Sequence, residues 1–287
     1  MAASLSPLST VLSHVPAPRS TIPVHPVRLG AALLALSLAA LAAPVRAQAF
    51  GDADPEVSSS TQWGLGIGFA SRQRPYAEAD RKNSVIPVLY VENRWFRLAG
   101  GSADAKLWRH QFAPGNSLSA SLRLKYDDEG YKASDSPLLA GMDKRKASFL
   151  GGGALTWTTP WVELGAEWLS DVSSESKGQK LSLQAEHRFG VGEFGVRPRV
   201  KAQWLDKKYV DYYYGVRAHE VAPGRALYTG ESAMTTELGL RVDYAIARRH
   251  VVFIDASVTR LPDEIRQSPI VSRKNTSRVA LGYLYRF

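Results

Sequence analysis

The feature that most constrains this chain is an alternation of apolar and polar residues with a period of two, sustained for about ten residues at a time. In "NSLSASLRLKYDD" (116–128), Leu118, Ala120, Leu122, Leu124 and Tyr126 share one face, and Ser117, Ser119, Ser121, Arg123 and Lys125 share the other. The same rhythm runs through "QWGLGIGFAS" (62–71), "WVELGAEWLS" (161–170), "KLSLQAEHRF" (180–189), "EFGVRPRVKAQWL" (193–205), "MTTELGLRVDYAI" (234–246) and "SRVALGYLYRF" (277–287). Successive side chains of a strand point to opposite faces, so this pattern demands a sheet with one apolar and one polar side. A β-sandwich hides its apolar side within, whereas an outer-membrane barrel turns it to lipid.

Strand length, aromatic placement and loop lengths choose between the two. A tilted strand needs about 9–11 residues to cross a bilayer, and a sandwich strand is more often about 5–6. Aromatics sit at strand ends (Trp63, Phe69, Trp157, Trp161, Trp168, Phe189, Phe194, Trp204, Tyr244), where interfacial girdles form. Short connections (92–94, 113–116, 158–160, 190–193, 247–250) alternate with long ones (72–84, 128–147, 171–178, 206–231, 261–275). Short turns on the periplasmic side with long outer loops are the barrel pattern. The expectation is an all-β, transmembrane antiparallel up-and-down β-barrel of about 12 strands. Those strands are 62–71, 84–92, 94–100, 104–112, 117–127, 147–158, 161–170, 179–189, 194–206, 232–246, 250–260 and 276–287, the third and fourth being least distinct.

Composition fits that reading. Mean hydropathy is −0.19, against the positive value of a helical membrane protein. Cysteine is absent, which excludes disulfides, thiolate metal sites and a cysteine nucleophile. The apolar run "LGAALLALSLAALAAP" (29–44) follows Arg28 and precedes "VRAQAF", the arrangement of a cleaved secretory signal. Residues 1–47 are therefore expected to be a signal peptide with an over-long start, 48–61 a polar lead, and 62–287 the barrel. The expected location is the Gram-negative cell outer membrane. The net charge of +9 suits anionic lipid phosphates better than nucleic acid in an exported chain.

Chain-terminal alternation of aromatics ending in phenylalanine resembles the signal that barrel assembly machinery reads, which assigns Tyr283, Tyr285 and Phe287 to that role. The strings "VDYYYGVRAHE" (210–220) and "TRLPDEIRQSPIVSRKN" (259–275), together with "IPVLYVENRWFRLAGG" (86–101) and the final "LGYLYRF", resemble the MipA/OmpV family of outer-membrane proteins. That resemblance spans nearly the whole exported chain. It implies a monomeric or self-associating barrel. It further implies a scaffold that binds a lytic transglycosylase and a bifunctional penicillin-binding protein, tying peptidoglycan cleavage to synthesis. Other members are surface antigens or adhesins.

No catalytic, cofactor or metal constellation is expected. His110, His187, His219 and His250 stand in no HExxH or i, i+4 ligand pair. Asp255, Ser257 and Glu237 project inward, and the simplest use for the two carboxylates is pairing with Arg241 and Arg197. Two surfaces remain as candidates. Tyr212, Tyr213 and Tyr214 are exposed loop aromatics on this reading, suited to anchor a partner or to extend a hairpin above the membrane. Arg197, Arg199 and Lys201 form an inward basic ladder. The functional expectation is a non-enzymatic scaffold of the envelope linked to peptidoglycan synthesis and remodelling. The alternative is a narrow channel or ligand-transport barrel with a basic lumen.

Overall fold

The computed structural model describes residues 61–287. The expected signal segment 1–47 and the polar lead up to residue 60 lie outside the described residues. Antiparallel strands follow one another around a single closed sheet. They are β1 (Gln62–Arg72), β2 (Lys82–Glu92), β3 (Phe96–Ala99), β4 (Ser102–Ala113), β5 (Asn116–Asp127), β6 (Ser148–Thr158), β7 (Glu163–Asp171), β8 (Gln179–Glu186), β9 (Phe189–Val191), β10 (Phe194–Leu205), β11 (Ala233–Ala247), β12 (His250–Arg260) and β13 (Asn275–Arg286). β1 pairs with both β2 and β13, which closes the barrel where its first and last strands meet.

β8 and β9 are two pieces of one stave, so the barrel has 12 strands. Both pieces pair with β10 in one register, Glu186 opposite Arg199 and Phe189 opposite Val196. The break falls at His187 and Arg188, opposite Pro198, whose missing N–H interrupts the ladder. A second irregularity is the bulge between Lys106 and Trp108 in β4. It leaves Leu107 and Trp108 both exposed and both on the outside, which is why this strand shows the least regular alternation.

The outer surface carries the apolar residues. Trp63, Leu65, Ile67 and Phe69 of β1 are exposed, and Gly64, Gly68 and Ala70 face inward and are buried. Inward glycine lets strands approach closely. A Cβ on Gly66 would stand 1.9 Å from the carbonyl oxygen of Tyr283 on β13, and one on Gly152 would stand 2.0 Å from that of Trp168 on β7.

The largest cluster of buried apolar side chains lies in the long loops, not in the barrel wall. Tyr76 comes from the β1–β2 loop, Tyr131 and Leu139 from the β5–β6 loop, and Tyr209, Val210 and Tyr213 from the β10–β11 loop. Ile265 and Ile270 come from the β12–β13 loop. The β10–β11 loop opens with helix α1 (Lys207–Tyr214), and the β12–β13 loop contains the single turn α2 (Asp263–Arg266). Together these loops pack into a cap at the long-loop end of the barrel.

Candidate functional site: a loop cap over a charge-paired lumen

Helix α1 organises the cap. Asp206 is its N-cap and accepts from the Tyr209 N–H at 2.8 Å, and Gly215 ends it. Tyr209, Val210, Tyr213 and Tyr214 fall at i, i+1, i+4 and i+5, so one face is apolar and buried. Eight residues are too few to hold a helix in water alone, so the packing of that face keeps it formed. Hydrogen bonds finish the job. Tyr209 donates to Asp127 at 2.8 Å, Tyr213 to the Lys146 carbonyl at 3.0 Å, and Tyr76 to the Tyr213 carbonyl at 3.3 Å. Ser268 on the β12–β13 loop donates to the Tyr214 carbonyl at 2.6 Å. Burial pushes the phenols of Tyr76, Tyr209, Tyr213 and Tyr214 well above the usual tyrosine value, so all four stay protonated donors at neutral pH.

This placement corrects one expectation. Tyr213 and Tyr214 are 0% and 5% exposed, and Tyr212 is half-buried against them. They are the interior of the cap instead of exposed anchors, because helix α1 turns them onto the other loops. The Tyr212 hydroxyl instead accepts from the Lys146 N–H at 3.0 Å.

A buried ion pair locks two loops of the cap together. Arg145 donates to Glu220 at 2.8 Å, with both side chains almost fully enclosed. Glu220 also accepts from the N–H groups of Asp143 (3.0 Å) and Arg217 (2.9 Å). Burial works to raise the Glu220 carboxyl, but Arg145 and these two donors outweigh it and hold the group below the usual carboxylate range. Arg225 adds bonds to the carbonyls of Glu220 (2.8 Å), Ala140 (3.0 Å) and Leu138. Nothing in the sequence singled out this network, since Arg145 stands in a "DKRK" run that reads as a solvated surface. Asp143, His219 and Glu220 do offer ligand atoms within 4.8 Å of one another. Arg217 on Asp143 (2.9 Å) and Arg145 on Glu220 already supply that positive charge.

Below the cap the ladder residues do point inward, and each meets a carboxylate. Arg197 reaches Glu186 at 3.3 Å, and Lys201 lies 3.8 Å from Glu237. Arg199 grips Asp255 with two N–H groups at 2.7 and 2.9 Å and Glu237 with a third at 3.3 Å. Arg199 is thus a partner of both acids that the sequence reading did not name; Arg241 stands opposite Asp255 on the ladder and pairs with Asp243 at 2.9 Å. On the opposite wall Arg123 bridges Asp104 (2.6 Å) and Glu167 (2.8 Å), and Lys125 adds a bond to Glu167 at 3.1 Å. Alternating charge across neighbouring strands braces the wall and lines the lumen with paired side chains.

At the short-turn end, Tyr283, Tyr285 and Phe287 all face outward in the aromatic girdle. Tyr283 shares a 2.8 Å hydrogen bond with His250, and Tyr285 packs edge-on to Phe287 at 4.8 Å.

The family model for MltA-interacting protein MipA matches residues 65–287. Escherichia coli K12 has two similar proteins. Its MltA-interacting protein is 27% identical over 79% of this chain and 90% of its own length, and its putative outer membrane protein YiaT is 23% identical over 80% and 93%. Outer membrane protein OmpV of Vibrio cholerae is 26% identical over 60% of this chain and 67% of its own length. A closed 12-strand barrel with an apolar exterior, matched over residues 65–287, this chain belongs to the MipA family of outer-membrane β-barrels.

Proposed function

We propose that this barrel is a non-enzymatic scaffold of the outer membrane, which holds peptidoglycan-remodelling enzymes at its periplasmic turns. The observation that carries this reading is the state of the lumen. The ladder of Arg197, Arg199 and Lys201 is taken up by Glu186, Asp255 and Glu237, and packed loops cover one mouth. A barrel whose lining charges are paired and whose loops are packed in this way is suited to present surfaces. The relative named MltA-interacting protein supports a lytic transglycosylase as one partner; a penicillin-binding protein, the assembly machinery and a second copy of the chain are the others proposed. The turns offer exposed aromatic groups for such contacts in Trp95, with Arg94 stacked over it at 4.5 Å, and Trp161. Crosslinking in intact envelopes followed by purification of the barrel should recover a lytic transglycosylase, and Trp95→Ala with Trp161→Ala should reduce the yield. Recovery of no wall enzyme would count against the scaffold.

A narrow channel is the second reading. Arg278 favours it, since this residue faces the lumen beside Arg72 and is exposed. Planar-bilayer recording separates the two. Steady anion-selective current that falls on replacing Arg197, Arg199 and Lys201 would establish the channel.

A further inference from the structure

We infer that the outer rim of the β12–β13–β1–β2 wall binds the phosphate groups of an anionic glycolipid of the outer leaflet. On this wall the lipid-facing stripe ends in exposed Val258, Val279, Phe69 and Val85, one on each strand. Two residues further along each strand, toward the long loops, the same faces carry Arg260, Ser277, Ser71 and Asn83. The change from hydrocarbon to polar side chains is therefore abrupt and marks the headgroup level.

Arg81 lies across this boundary. It comes from the β1–β2 loop and lays its guanidinium over β1 and β13. Nε donates to Ser71 Oγ at 2.8 Å, Nη2 to the Ser71 carbonyl at 3.0 Å, and Nη1 to Ser277 Oγ at 3.0 Å. All three acceptors are neutral, and Glu78 and Asp80, the nearest acids in sequence, form no ion pair with it. A guanidinium has five N–H donors. Three hold Arg81 in place, and the remaining two are left on an exposed group that forms no ion pair among the described residues. Fixed in this way, the fork has little conformational freedom left to lose when it takes a phosphate in two parallel bonds.

Arg260 stands beside it. It is exposed, faces outward and pairs across the ladder with Asn275, two residues from Ser277 on the same strand. By strand spacing its Cα lies about 8 Å from that of Ser277, so both guanidinium groups can reach phosphates on one headgroup. Exposed Lys274 extends the same rim. Below, the valines and Phe69 offer hydrocarbon to acyl chains. Two arginines above an apolar stripe match a lipid that carries phosphate on a sugar headgroup over several chains.

The experiment uses the full chain, purified in detergent and confirmed as folded by heat-dependent gel mobility. Native mass spectrometry then counts retained lipid A, with its dephosphorylated form as the control ligand. Wild type should retain the phosphorylated lipid about tenfold better than the control ligand. Arg81→Gln combined with Arg260→Gln should lower that retention about fivefold or more. Arg81→Lys, which keeps charge but not the fork, should fall between, and Lys208→Gln on α1 should match wild type. Equal retention of the two lipids, or full retention by the folded double variant, overturns the inference. Displacement of the lipid by inorganic phosphate at about 10 mM would assign the site to a free anion and overturn it equally.

Discussion

Trp63 stacks face to face on Phe287, with ring centroids 3.7 Å apart and planes 7° from parallel. The Phe287 N–H donates to the Trp63 carbonyl at 3.0 Å, so the stack and a backbone bond together fasten β13 to β1 where the barrel closes. Trp63→Ala and Phe287→Ala remove the same stack and should each cost about 0.5–1.5 kcal/mol beyond lost burial. If Phe287 is also read during assembly with Tyr283 and Tyr285, its variant should reach the membrane in smaller amounts than the Trp63 variant. Quantifying heat-modifiable barrel in outer membranes against urea midpoints of refolded protein separates the two effects. Equal membrane levels at equal stability would remove Phe287 from the assembly signal.

Gly66→Ala tests the closure from the inside. Its Cβ would collide with the backbone of Tyr283, which cannot swing away as a side chain can. Gly153, where a Cβ meets nothing within 4 Å, is the control. Gly66→Ala should lower the urea midpoint markedly, and Gly153→Ala should leave it near wild type. Similar midpoints for both would show that β1 and β13 have room to separate.

These two glycines also mark how far the sequence could be read. Period-two alternation located every strand to within a few residues, because one face meets lipid and the other the lumen at each position from Ser117 to Tyr126 and in the other long strands. The rule weakened where local chemistry broke the period. The bulge at Leu107 put two apolar residues on one face, and Pro198 split the stave opposite it. The cap was illegible for a different reason. Tyr212, Tyr213 and Tyr214 stand in a stretch with no strand period, and α1 is too short to announce itself by helical period. Their burial depends on Tyr76, Leu139 and Ile265, which lie far away in the chain and meet them only in the folded structure.

In the lumen, Arg199 holds two acids at once. Arg199→Ala takes away the cation shared by Glu237, which stands opposite Thr259, and Asp255, which stands opposite Arg241 further along the same ladder, and Lys201, 3.8 Å from Glu237, is a poor substitute. Removing one member of an enclosed ionic group typically costs about 3–5 kcal/mol, and the lower end applies here because all three side chains keep some contact with water. Adding Asp255→Asn to Arg199→Ala should recover part of the loss. Chemical unfolding of the single and double variants measures the coupling, and additive losses would mean that the bridge contributes nothing of its own.

The cap carries its own pH dependence. Glu220 is held below the usual carboxylate range, so it contributes stability above the ordinary glutamate pKa, about 4.3. That contribution is lost as the pH falls through the lower value of the folded state. The buried tyrosines titrate in the opposite sense: their phenols are raised, so the cap is intact below the ordinary value of about 10 and weakens as pH climbs beyond it. Limited proteolysis of the 206–232 segment in folded protein should therefore show protection across neutral pH, with cleavage rising in strong acid and again in alkali. Tyrosinate absorbance should appear together with the alkaline cleavage. Glu220→Ala leaves Arg145 enclosed without its partner, a change worth about 3–5 kcal/mol, and should expose the segment at neutral pH while the strands stay intact. Glu220→Gln keeps acceptors for the Asp143 and Arg217 N–H groups and should open less, and its acid limb should vanish. An acid limb that persists in Glu220→Gln would place the acid-sensitive group elsewhere in the cap, with Asp135 on Arg74 the next carboxylate to replace.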